Sequence, residues 1–71
     1  MRRNKNQKPY LKFKGFLVEN NIKQREVAIL IGKNASTVNQ HINGTGSDFS
    51  LKDIRAICDA YKISADEYFF N

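Results

Sequence analysis

From Tyr10 onward, apolar residues in this 71-residue chain recur three and four positions apart, and the gaps between these runs hold Asn, Gly, Ser and Thr. That period predicts helices that each bury one stripe. Tyr10 to Asn20 carries Leu11, Phe13, Phe16, Leu17 and Val18, enough for a first amphipathic helix. Asn20-Asn21 ends it, because Asn tolerates the left-handed conformation used at helix C-termini, and Ile22 turns back to the core. Gly15 inside this helix costs on the order of 1 kcal/mol against Ala, which close approach of another helix would explain. A second helix runs from about Gln24 to Ile31, with Val27, Ala28 and Ile31 inward, Leu30 at the margin and Ile29 pointing away. Lys23 is a poor cap for it, although Glu26 can reach back to the Lys23 amide. Gly32 supplies a tight turn. Asn34 caps a third helix, Ala35 to Ile42, and Asn43 to Ser47 form a turn-rich loop. Ser50 and Asp53 make a capping box for a fourth helix to about Tyr61, with Phe49 stapled to its start. Leu51, Ile54, Ile57, Cys58 and Tyr61 share its apolar face. Ser64 and Glu67 repeat the box for a short last helix bearing Tyr68, Phe69 and Phe70. Three aromatics exceed what one stripe needs, so some fill the core and the surplus suits a dimer contact.

The third helix divides more cleanly than the others. Indexed at 100° per residue, Ser36, Asn39, Gln40 and Asn43 fall within roughly a 100° arc, with Val38 and Ile42 opposite. A face turned only to water normally mixes Lys and Glu. This one is amide and hydroxyl without a carboxylate, which suits base edges in a DNA major groove, where Asn and Gln bond adenine bidentately.

Length allows one small domain, with room for a core and hardly for an enzyme cleft as well. A net charge of +5 and a pI near 9.6 favour an anionic partner. The charge is uneven: Arg2, Arg3, Lys5, Lys8, Lys12 and Lys14 crowd the first fourteen residues, which contain no acid. Residues 1–9 lack apolar periodicity and read as a flexible basic arm, with residues 10–71 as the folded domain. A solubilising tail is the other reading of the arm; the helices that follow favour an arm laid on DNA phosphates. Cys58 is the only cysteine, which rules out an intrachain disulfide, and at helical spacing it reads as a buried small hydrophobe. No apolar run approaches a membrane span and the polar N-terminus is no signal peptide, so a cytoplasmic protein is expected.

In this order and spacing, Gln24, Val27-Ala28, Ile31-Gly32, Ser36-Thr37-Val38, Asn43-Gly44 and Ile63-Ser64-Ala65-Asp66-Glu67 resemble the lambda-repressor-like helix-turn-helix family, with its Cro and XRE-type regulators. The resemblance runs from about Phe13 to Tyr68. It implies an all-α, compact five-helix domain with the helix-turn-helix at helices two and three. The third helix then enters the major groove while the second crosses above the backbone. Carried over by position, Asn34, Ala35, Ser36, Asn39 and Gln40 face bases. Gln24 bonds a phosphate and buttresses Gln40, while Lys33, Asn43 and Thr45 are further backbone contacts. Asn39 and Gln40 favour adenine and the Ala35 methyl suits thymine, so half-sites containing A·T are expected. Two positions depart from the family pattern. Lys33 stands where an apolar residue is usual, its stem covering the core edge and its ammonium reaching solvent or a phosphate. His41 replaces an aliphatic residue and reads as a hydrogen-bonded, partly buried side chain rather than a metal ligand.

The leading expectation is a small transcriptional regulator, a Cro-like phage or mobile-element repressor, binding a double-stranded operator as a homodimer. A second class is an antitoxin-like regulator that works through a protein partner, held at Ile29 and Leu30 or at the Tyr68–Phe70 end. Single-stranded nucleic acid fits poorly, because the aromatics follow core spacing. One His, one Cys and no glycine-rich phosphate loop argue against an enzyme, and no cofactor or metal is expected.

Overall fold

A computed structural model describes residues 9–70. Arg2, Arg3, Lys5 and Lys8 of the expected arm lie outside the described residues. Five helices and no strand occur among the described residues: α1 (Leu11–Glu19), α2 (Gln24–Ile31), α3 (Ala35–Asn43), α4 (Leu51–Tyr61) and α5 (Ala65–Tyr68). The all-helical fold is the expected one.

Helices α1 to α4 stop by one device. A residue in the left-handed conformation lets the next amide turn back onto a carbonyl five positions earlier. The left-handed residues are Asn21 (φ 57°), Gly32 (φ 72°), Gly44 (φ 73°) and Lys62 (φ 58°). The returning bonds are Ile22 to Leu17 at 2.8 Å, Lys33 to Ala28 at 2.9 Å, Thr45 to Gln40 at 3.1 Å and Ile63 to Cys58 at 3.2 Å. Gly32 and Gly44 adopt this geometry freely, whereas Lys62 has a Cβ that costs about 1 kcal/mol.

The starts are more varied. Asn34 caps α3 by accepting from the Thr37 amide at 2.8 Å. Ser50 and Asp53 form both halves of the capping box on α4. At α5, Ser64 accepts from the Glu67 amide at 3.3 Å. The Glu67 carboxylate lies 3.2 Å from the Lys12 ammonium, an exposed ion pair between α5 and α1.

Phe13 and Leu17 of α1, Val27 and Ala28 of α2, Val38 and Ile42 of α3, and Ile54 and Ile57 of α4 meet in one core with Phe49 and Phe69. Phe49, expected as a staple at the start of α4, sits at the centre of this core. Its ring centroid is 6.2 Å from Phe13, 5.7 Å from Phe69 and 4.9 Å from the His41 ring. Tyr10 fastens the start of α1, its amide donating to the Ile42 carbonyl at 2.8 Å and its hydroxyl to Asp48 at 2.6 Å. Burial and the Asp48 bond push the Tyr10 phenol well above its ordinary pKa.

The three terminal aromatics separate. Phe69 enters the core, Tyr68 packs edge-on against Phe16 at 5.5 Å, and Phe70 stays 57% exposed. Three expectations are corrected here. Leu51 is 69% exposed, whereas Asp53 and Ile54 of the same turn are buried; it shares a shallow groove with Cys58 and Phe70. Cys58 is half-buried rather than enclosed, since one side of it lines that groove. No helix approaches Gly15: a Cβ there would meet nothing within 4 Å, so it carries its helix penalty without a packing reason.

Candidate nucleic-acid interface

The α2–Gly32–α3 unit is held by small and β-branched contacts. Ala28 (2% exposed) lets the two helices cross closely, and Val38 (0%) anchors α3 to the core. That anchoring turns the opposite side of α3 outward. Ala35, Ser36, Asn39 and Gln40 are exposed there, with Asn34 at the N-terminus, and no acidic residue occurs on α3. Because Asn34 uses Oδ1 for the cap, its amide NH2 is the end left to face outward.

Side chains across this surface are tied to one another. Asn39 Nδ2 donates to Gln24 Oε1 at 3.1 Å, joining α3 to the first turn of α2. Gln24 therefore buttresses Asn39, not Gln40 as expected, because position 39 is the one that the crossing of the helices turns toward α2. Asn43 Nδ2 donates to Asn39 Oδ1 at 3.2 Å, one turn along α3. Gln40 is supported from the loop instead. Its side chain lies over Gly46, where a Cβ would come within 2.8 Å of Oε1 and 3.2 Å of the Gln40 Cβ. The Gln40 carbonyl also accepts from the exposed Thr45 at 3.1 Å.

The inward side of the unit carries a polar corner. Lys33, just after the turn, places its ammonium 2.5 Å from Asp53 Oδ2 and 3.1 Å from His41 Nε2. It is thus directed to the protein rather than free for a phosphate, unlike the expectation. The reason is that Asp53, 5% exposed, requires a cation, and Lys33 is in reach. His41 is 1% exposed and its Nδ1 lies 2.5 Å from the Ser47 carbonyl. An ammonium only donates, so Nε2 accepts from Lys33 and the ring proton resides on Nδ1, donated to Ser47. The expected hydrogen-bonded histidine is present, more deeply buried than anticipated. Burial alone pushes the Asp53 carboxyl upward. The Lys33 hydrogen bond, the Ser50 amide and hydroxyl, and the Lys33 charge together outweigh it and leave the carboxyl below its usual range.

Sequence reasoning missed two features of this surface. Lys14 of α1 reaches Asn43 Oδ1 at 3.4 Å, a long-range pairing that no local spacing signals. Gly46 matters for the room it leaves Gln40, where the sequence showed only a flexible loop. Among the described residues no group of three His, Cys, Asp or Glu side chains gathers to hold a metal, and no helix is long and apolar enough to cross a membrane.

Comparison with known proteins agrees with this geometry. Residues 12–67 match the family model of the Cro/C1-type helix-turn-helix DNA-binding domain. No curated protein and no solved structure matches the chain significantly. The match extends from α1 to α5 and contains both helices of the turn unit and the polar face of α3, and the chain belongs to the Cro/C1-type helix-turn-helix DNA-binding family.

Proposed function

We propose that this DNA-binding domain is a sequence-specific regulator that lays α3 in the major groove of a double-stranded operator, as a Cro-like repressor of a phage or mobile element. The observation that carries this reading is the acid-free amide and hydroxyl face of α3, exposed and braced at Asn39 and Gln40. Asn34, Ala35, Ser36, Asn39 and Gln40 meet base edges, in half-sites that contain A·T pairs. Gln24, Asn43 and Thr45 contact the backbone. Lys33 contributes by steadying α3 through His41. Arg2, Arg3, Lys5 and Lys8 add affinity through phosphates, so the salt dependence of binding is steep. One domain of this size covers few base pairs, so it acts in the cytoplasm as a homodimer on repeated half-sites. Phe70, exposed beside Leu51, supports a dimer contact at the C-terminal end.

The test is selection of duplexes from a random pool by wild type and Gln40→Ala at two salt concentrations. A two-half-site consensus is expected, with the variant losing about 1–3 kcal/mol at one base pair and little elsewhere. Equal, salt-sensitive binding by both proteins with no enriched sequence would remove specific reading.

A second reading rests on Ile29, 76% exposed next to Leu30 on α2. Apolar side chains in that position suit an antitoxin-like regulator that binds a protein. A copurifying partner lost in Ile29→Asp, with operator binding intact, would favour it.

A further inference from the structure

One chain of hydrogen bonds crosses three helices on the DNA-facing side. Lys14 Nζ of α1 donates to Asn43 Oδ1 at 3.4 Å, Asn43 Nδ2 donates to Asn39 Oδ1 at 3.2 Å, and Asn39 Nδ2 donates to Gln24 Oε1 at 3.1 Å. A carboxamide has an acceptor end and a donor end of nearly the same shape, so a row of amides alone can run in either direction. An ammonium cannot, because it has three donors and no acceptor. Lys14 beside Asn43 draws Oδ1 toward α1. The Asn43 NH2 must then face Asn39, the Asn39 oxygen must receive it, and the Asn39 NH2 must face the Gln24 oxygen. We propose that Lys14 is a positioning residue that sets the direction of all three amides and so decides what the reading face offers to DNA.

Two consequences follow at the surface. Asn39 keeps one unused N–H and one unused lone pair, the pair that adenine N7 and N6 require in the major groove. Gln24 keeps its whole NH2 at the first turn of α2, and a phosphate oxygen only accepts. The reverse direction would turn the Gln24 oxygen outward, acceptor against acceptor. This inference rests on the reading of Asn39 and Gln24 as DNA contacts. The direction of the amides is a property of the free protein and is measured without DNA.

The experiment compares wild type, Lys14→Met and Lys14→Arg. In the free protein, the side-chain amide resonances of Gln24, Asn39 and Asn43 are recorded by NMR. All three are expected to shift together in Lys14→Met and to stay near wild type in Lys14→Arg, which also only donates. On DNA, Lys14→Met is expected to lose about fivefold discrimination at the base pair read by Asn39, and Lys14→Arg to retain it. Gln24 and Asn39 resonances unmoved in Lys14→Met would overturn the proposal. So would a uniform loss across all sequences with the salt slope reduced by about 1, the signature of a phosphate contact alone. If wild type itself selects no sequence, the DNA reading fails, and the amide resonances still decide whether Lys14 sets the direction.

Discussion

The two sides of α3 use polar groups in opposite ways. Outward, Ser36, Asn39 and Gln40 are exposed, and their bonds to neighbours leave donors and acceptors unused. Inward, His41 and Asp53 are buried and Lys33 is half-buried, and each group in this corner has a partner: Asp53 holds Lys33 and the Ser50 amide, Lys33 reaches His41, and His41 holds Ser47. A surface that reads another molecule needs spare hydrogen-bonding capacity at low desolvation cost. A buried polar group left with spare capacity destabilises the fold. The difference shows why the family's usual aliphatic residues can be replaced here without loss of the fold: Lys33 and His41 are satisfied together, through a carboxylate contributed by α4.

Breaking the inward side should have the largest effect. Asp53→Ala removes the partner of Lys33 and half of the α4 capping box, and is expected to destabilise by about 2–4 kcal/mol in chemical denaturation. The variant is expected to regain operator binding when a stabilising cosolute restores folding, since no DNA-facing group is changed. A direct defect in base preference would instead show that the corner shapes the reading face. The same carboxylate gives an acid response of known sign. Its folded pKa is lowered, so its contribution is complete above the ordinary value of 3.8 and is lost as pH falls through the folded value. Acid unfolding of wild type should therefore be steeper below about pH 4 than that of Asp53→Asn, which lacks the titration. Equal acid limbs would mean that the Lys33 pair contributes nothing to folding. The smallest effect should come from the outward side. Gly46→Ala places a methyl against Gln40 and should cost about 1 kcal/mol of discrimination at the base pair read by Gln40. Its thermal stability should stay within about 0.5 kcal/mol of wild type, because the displaced group is an exposed side chain. A large stability loss with unchanged base preference would contradict the support assigned to that glycine.

Local signals account for the parts of the molecule that were readable in advance. The period of Val27, Ala28, Val38, Ile42, Ile54 and Ile57 placed three helices and their inward faces, because helical spacing alone decides which side chains align. Asn34, Ser50 and Gly32 marked boundaries, since capping and positive φ are settled within a few residues. The fourth helix ends at Tyr61, where its periodicity stops, but the left-handed Lys62 that closes it was not legible, because a lysine side chain does not favour that conformation. The outward set Ser36, Asn39 and Gln40 was likewise legible from the third helix alone.

The tertiary structure decided everything that joins residues distant in the chain. It brought Phe49 against Phe13, Phe69 and His41, sent Phe69 inward and left Phe70 out. It paired Lys33 with Asp53, twenty positions away, and Lys14 with Asn43, twenty-nine away. It also gave Gln24 to Asn39 instead of Gln40. Periodicity specifies which face of a helix is buried, and therefore which residues are left facing outward. It is blind to the neighbour that meets a polar side chain, because that depends on how helices cross, and the crossing is set by the packed core as a whole.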